Sequence, residues 1–202
     1  MPHIDPLEPA EIHDPELLEL IARCEQLAVP DALFPRILAR VPAYAKALLR
    51  AMLLSHCEGK VDHKLKEIIR IRLARTAGDQ YFGSLRSAKA TQQGLDEQTI
   101  EAGAGDFEDD PSFSPAEKCA LRYAKLMYLE PSAVDAGFYA EMKKHFSEAQ
   151  IMELGAFIAF HYGMQVFTRT LNAVPLATVN LRAASGGSNP TAPMLGLRNL
   201  PD

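Results

Sequence analysis

The sequence predicts an all-α protein, and three observations predict it. Helix start signals recur along the chain, with a capping Asp or Ser set just before a run of helical spacing. Apolar residues fall at helical intervals, most plainly Ile151, Leu154, Ile158, Tyr162 and Val166. No stretch alternates Val, Ile or Thr with polar residues strongly enough for a strand.

The elements follow in order. Asp14-Pro15-Glu16 supplies a cap, a proline at the first helical position and an acid in the first turn, and Leu17, Leu18, Ile21 and Leu27 form the apolar face behind it. Pro30 to Ala39 reads as a short helix. Pro42 opens the next, which runs to about Cys57 and stops at Gly59. Asp62 caps a helix to about Ala77, with Leu65, Ile68, Ile69 and Leu73 for burial and Gly78 at its left-handed end. A fifth helix is expected from Asp79 to Gly94, and Asp96 caps a short one to Ala104. Ser114-Pro115-Ala116-Glu117 is a capping box that opens a helix to Leu129. Asp135 caps another, to about His145. Ser147-Glu148-Ala149-Gln150 is a second capping box, opening a long helix to Asn172.

Composition narrows the function classes. The chain has 202 residues, 48% hydrophobic and 23% charged, which suits one folded domain with an arm rather than a disordered chain. Its net charge of −5 argues against a nucleic-acid binder, whose footprint is strongly basic. No apolar run is long enough to cross a bilayer, and Met1-Pro2-His3-Ile4-Asp5 lacks the basic start and apolar core of a signal peptide, so a cytoplasmic protein is expected. Cys24, Cys57 and Cys119 are odd in number and widely spaced. They form neither a disulfide framework nor a Cys-x-x-Cys pair, and no Cys/His cluster has metal-ligand spacing, so no metal is expected.

Charge is segregated. Lys60 to Lys89 holds eight Lys/Arg against three acids, whereas Ala90 to Glu117 holds no Lys or Arg and gathers Asp106, Glu108, Asp109 and Asp110 in one loop. Such a pattern is either a solvated surface or a frame around an anion site. From Ala173 the character changes: Pro175, Pro190, Pro193, Pro201 and Ser185-Gly186-Gly187-Ser188 read as an extended arm over 176–202, either on a neighbouring subunit or without structure.

The stretch that carries chemistry is Glu67 to Gly94. It reads Glu67-Ile-Ile-Arg-Ile-Arg-Leu-Ala-Arg, then Ala77-Gly78-Asp79-Gln80-Tyr81-Phe82-Gly83-Ser84-Leu85-Arg86, then Ser87-Ala88-Lys89-Ala90 and Gln93-Gly94. With Leu121-Arg122-Tyr123-Ala124, Phe146 to Leu154 and Thr170-Leu171-Asn172, it resembles the carboxymuconolactone decarboxylase and alkylhydroperoxidase D-like superfamily over about residues 30–175. The family motif is a Glu, eleven residues, Cys-x-x-Cys, three residues and a His. Glu67 matches the Glu, Asp79 and Phe82 stand at the two cysteines, and Arg86 stands at the His.

The resemblance implies an alkylhydroperoxidase D-like helical bundle over 30–175, behind an N-terminal helical extension of residues 1–29. It also implies a homo-oligomer, either a dimer or a trimer of dimers. The departures argue against the thiol peroxidase branch, because a thiolate is the nucleophile there and Asp and Phe supply none. What remains is a cofactor-free lyase or isomerase that acts on a small carboxylated metabolite. A non-catalytic ligand-binding or scaffold relative is the alternative.

The catalytic candidates are Glu67 as proton carrier and His161 as a second one, reaching in from the long helix. Arg86 is the substrate-carboxylate clamp, bordering a pocket with Glu67 and Phe82, or else an internal salt-bridge partner of Glu67. Asp79, Phe82 and Arg86 lie at i, i+3 and i+7, one face of the expected fifth helix, with Asp79 either a site carboxylate or simply its cap. Tyr81 and His56 complete the expected binding residues. Tyr81 is also a core candidate, and His161 is equally a core histidine beside Tyr162. His63 and His145, near helix ends, are expected to be exposed.

Overall fold

The computed structural model describes residues 1–176. Among them lie ten α-helices and no strand: α1 (Pro15–Leu27), α2 (Leu33–Leu38), α3 (Pro42–Cys57), α4 (His63–Ala77), α5 (Gln80–Ser84), α6 (Ala88–Gln92), α7 (Glu97–Ala104), α8 (Pro115–Leu129), α9 (Ala136–Met142) and α10 (Glu148–Thr170). The arm expected over 176–202 lies, apart from Leu176, outside the described residues.

The caps form as the sequence predicts. Asp14, Asp62, Ser114 and Ser147 each accept a hydrogen bond from a backbone N–H of the first turn they precede, and Ser114/Glu117 and Ser147/Gln150 close reciprocal boxes. Gly78 ends α4 at φ 65°, the left-handed conformation that a side chain disfavours.

Two apolar clusters fill the interior. One joins α4, α7, α8 and most of α10 through Ile69, Ile71, Ile100, Leu121 and Ile158. The other joins α1, α2, α3 and α5 to the last turns of α10 through Leu17, Phe34, Leu49, Tyr81, Phe82 and Met164. Residues 15–27 therefore pack into the same cluster as α3 and α5.

α4 runs between the two clusters. Eleven of its fifteen residues are buried, on all sides of the helix. A helix enclosed in this way is normally apolar all round. Yet Lys66, Glu67 and Arg70 are among its buried residues. Buried charge is costly unless it is paired and hydrogen-bonded, so the fold around α4 has to supply partners. Its packing is also tight: a Cβ added to Gly103 of α7 would lie 2.4 Å from Ile68 Cγ2.

One element departs from expectation. The helix expected from Asp79 to Gly94 is two short ones, α5 and α6, separated by extended backbone at Leu85 (φ −77°, ψ 149°). The buried pair on α4 accounts for the break. Arg70 Nη1 donates to the Phe82 carbonyl, Arg70 Nη2 donates to the Leu85 carbonyl at 2.8 Å, and the Ser87 N–H donates to Glu67 Oε1 at 2.8 Å. In a continuous helix, each of those backbone groups would bond within the helix. Ser87 then caps α6 from its own side chain. Arg86 thus stands after α5 rather than on a shared face with Asp79 and Phe82.

Candidate functional site: a buried carboxylate and three histidines

Glu67 sits at the centre. Its carboxylate receives Arg70 in bidentate form, Nε to Oε2 at 2.8 Å and Nη2 to Oε1 at 2.7 Å. The Ser87 N–H and the His56 ring complete the set, with His56 Nε2 3.0 Å from Oε2. Burial pushes the carboxyl up, but the Arg70 charge and the bonds from Arg70 and His56 outweigh it and hold Glu67 well below the usual range. An ionised carboxylate so saturated is a weak base, and its effect is to orient its neighbours.

His56, in the last turn of α3, is 1% exposed. A carboxylate accepts only, so Nε2 carries the proton and Nδ1 presents a lone pair. Burial lowers the pKa of His56 against the raising influence of Glu67, so the ring is neutral near pH 7. His161 on α10 is arranged likewise. Its Nε2 lies 3.1 Å from Ser55 Oγ, which in turn donates to the Met52 carbonyl at 3.2 Å. The hydroxyl proton is then spent on that carbonyl, so His161 Nε2 donates and its Nδ1 is bare. Burial first, then the neighbouring His56 and Arg70, hold His161 well below its ordinary value. Among the described residues neither Nδ1, of His56 or of His161, has a hydrogen-bond partner, although both are buried. The rings lie 5.9 Å apart at 62°.

His63 completes the cluster. Its Nδ1 donates to the His56 carbonyl at 2.7 Å, and its Nε2 therefore accepts from Ser87 Oγ at 2.8 Å. It is buried, not exposed as its place at a helix end suggested, because the His56 carbonyl draws the ring inward. Burial, then the neighbouring His56, push it down to about 4.

An apolar groove of about 420 Å³ opens between α3 and α10 beside this cluster, lined by Ala51, Leu54, Ser55, Phe157 and Phe160 with Glu58 and Glu153 at its rim. Ser55 and Phe157 connect it to the histidines: Ser55 holds His161, and the Phe157 ring lies 4.2 Å from the His161 ring centre. Lys66 Nζ ties two residues of the groove together, bonded to the Ser55 carbonyl at 3.1 Å and to Glu153 at 2.5 Å.

The expected residues divide cleanly. Glu67, His56 and His161 come together. Arg86 does not join them: its guanidinium pairs with Glu97 at 2.7 and 3.0 Å and bonds the Gly83 and Leu85 carbonyls. The internal partner of Glu67 is Arg70, one helical turn away. Asp79 caps α5 and accepts from Thr168 at 2.8 Å, a bond that spans α5 and α10. Burial raises its pKa against those bonds. Tyr81 and Phe82 are core residues packed edge to face, and Tyr81 donates its hydroxyl to Asp31. His63, Ser55 and Arg70 are the additions. The signal for Arg70 was its i+3 spacing from Glu67 on a helix rich in Ile and Leu. Among the described residues no group of three or more His, Cys, Asp or Glu is set to hold a metal ion. No helix there is long and apolar enough to cross a membrane.

No family model matches the chain, and no curated protein matches it. Solved structures do. A variant of the debrominase Bmp8 in complex with 2,3,4-tribromopyrrole superposes with a TM-score of 0.75 at 20% identity, over 91% of this chain and 96% of that one. An alkylhydroperoxidase AhpD core protein, an uncharacterized peroxidase-related protein from Ralstonia eutropha JMP134, gives 0.70 at 15% identity over 87% and 92%. An uncharacterized peroxidase-related protein from Silicibacter sp. TM1040 gives 0.69 at 14% identity over 88% and 95%. The chain has the alkylhydroperoxidase D-like, all-α fold.

Proposed function

We propose that the protein is an enzyme of the lyase or isomerase class that moves a proton on a small molecule with a flat, apolar body. The observation that carries this reading is the pair of buried imidazole Nδ1 atoms, on His56 and His161, without partners; the histidines do not line the apolar groove themselves, but both rings lie near Phe157, which does. A buried polar atom without a partner costs stability, and such costs concentrate where a ligand supplies the missing bond. A neutral imidazole takes a proton at Nδ1 and returns it from the same atom, so two of them can serve as base and acid in turn. Glu67, fixed by Arg70, stabilises the imidazolium that forms on His56. Phe160 offers a ring to a flat substrate, while Phe157, buried against His161, backs the groove. The structural neighbour in complex with 2,3,4-tribromopyrrole holds a ring of that size, which supports this shape class.

The reading gives Arg86 no role as carboxylate clamp, since Glu97 already occupies it, and with it goes the support for a carboxylated substrate. It also gives the cysteines none. Burial raises the thiols of Cys24, to about 12, Cys57 and Cys119, so none is a ready thiolate.

The test is a histidine ¹⁵N spectrum of the whole protein with and without a panel of small lactones, cyclic enones and aromatic heterocycles, together with deuterium uptake by each compound in heavy water. The expected result is a bare Nδ1 on both histidines, moved by at least one compound that also exchanges a carbon-bound proton. His56→Gln and His161→Gln should each reduce that exchange at least tenfold. Exchange that persists in both variants, or a panel that moves neither histidine and exchanges nothing, would overturn the reading in favour of a scaffold relative.

A further inference from the structure

The first helix meets the third in a definite register. Lys46 of α3 pairs with Asp14 at 2.7 Å and with Glu16 at 3.2 Å, and Arg50 pairs with Glu16. One turn further along each helix, Leu20 shares a cavity wall with Leu53 and Leu54. Contacts advance in the same direction on both helices, so α1 and α3 run parallel. One more turn, from Leu20 and from Leu53, sets Cys24 opposite Cys57. Cys24 is buried in the apolar cluster that joins the two helices, and Cys57 packs against that cluster, half-buried. A charge on Cys57 raises the thiol of Cys24, as a near neighbour does. A disulfide joins Cα atoms about 4.4–6.8 Å apart, the separation of small opposed residues where helices pack closely. Cys119 lies in the other cluster.

The same two helices border an open cavity of about 470 Å³, lined by Leu20, Arg23, Arg50, Leu54, Cys57 and Glu58. Cys57 is therefore reached from solvent, and Cys24 lies behind it. We propose that Cys24 and Cys57 are a thiol pair that exchanges with low-molecular-weight disulfides bearing carboxylates, and that closes into an internal disulfide between α1 and α3. The Cys57 thiolate attacks one sulfur of the incoming disulfide. The S–S bond breaks, and the far half leaves as a thiol with the proton that Cys57 gave up. Cys24 then attacks the Cys57 sulfur of the mixed disulfide, and the second half leaves with the Cys24 proton. Two protein thiols are oxidised, and one small disulfide is reduced to two thiols. Arg50 is engaged by Glu16, so Arg23 is the cation on the cavity wall that meets a carboxylate. Lys89 and Arg23 also lower the Cys57 thiol, but burial outweighs them, so exchange is slow at neutral pH and quickens as the solution becomes alkaline. Closing the pair pins the last turn of α3, which carries Ser55 and His56. None of this depends on the proton-transfer reading.

The test treats the reduced full chain, still folded, with oxidised glutathione in mildly alkaline buffer. The reaction is quenched with acid, the remaining thiols are alkylated after unfolding, and the products are mapped by mass spectrometry. The wild type and Cys119→Ser should each lose two alkylatable thiols and yield a peptide pair joined through residues 24 and 57. Cys24→Ala should keep a stable glutathione adduct on Cys57, and Cys57→Ser should take none at residue 24. Arg23→Gln should close the pair several-fold more slowly with oxidised glutathione, yet at the wild-type rate with uncharged 2-hydroxyethyl disulfide. A wild type that keeps three alkylatable thiols overturns the proposal. So does an adduct that persists on Cys57 beside a free Cys24, or a link through Cys119. An Arg23→Gln variant that matches the wild type with oxidised glutathione overturns the assignment of a carboxylate-bearing disulfide.

Discussion

Glu67 has the geometry of a fixed charge rather than of a proton carrier. Four hydrogen-bond donors meet its two oxygens, and its side chain is 1% exposed. Replacing it with glutamine keeps the shape and removes the charge, which leaves the Arg70 guanidinium buried without a counter-ion. Breaking a buried pair from one side costs about 3–5 kcal/mol. Glu67→Gln should therefore lower the unfolding free energy by about that amount in a urea titration. A loss below about 1 kcal/mol would show that the pair is not enclosed as described. Any loss of activity in this variant should therefore come together with a loss of stability. The imidazoles separate the two effects, because His56→Gln and His161→Gln leave the Glu67–Arg70 pair in place.

At the scale of elements, close approach and broken helices decide the architecture. α7 reaches α4 at Gly103, where the methyl of an alanine would fall 2.4 Å from Ile68 Cγ2. Gly103→Ala should cost about 1–3 kcal/mol through overpacking, despite the better helix propensity of alanine. A thermal melt reads this directly, and an unchanged or raised Tm would mean that α7 is free to move away from α4. The interruption between α5 and α6 is the second case. It was not legible in Asp79 to Gly94, because the groups that break the helix are side chains of α4, distant in sequence. The capping residues were legible, because a cap is satisfied by the backbone of its own first turn.

For the whole molecule, the three central histidines set the response to acid. Each is buried neutral, with its pKa below the ordinary 6.5, and for His63 at about 4. In that window the unfolded chain binds more protons than the folded one, so stability rises with pH. The contribution is therefore present above about pH 6.5 and is lost as pH falls toward 4. Glu67, held well below 4.5, keeps its contribution through that range and loses it only in stronger acid. The Tm should fall steadily from pH 6.5 to 4, and His63→Gln should flatten that slope. A Tm independent of pH across the window, or an unchanged slope in the variant, would show that His63 is not buried neutral. The two apolar clusters share α4 and α10, so the acid transition should engage both together.

Most of the helices, their caps and the all-α class were legible in the sequence alone, since each rests on contacts within a few residues. The sequence also brought forward Glu67, His56 and His161, because charge or imidazole at inward positions of apolar helices is conspicuous. Which partners those residues meet depends on how the helices pack. That packing gave Glu67 to Arg70 and Arg86 to Glu97, and it drew His63 inside. It left two imidazole nitrogens open beside a groove whose walls come from α3 and α10, roughly a hundred residues apart in the chain. Local spacing states which side chains share a helix face. Which of them face each other across the core depends on how the helices pack, and that is set by the sum of many apolar contacts rather than by any motif.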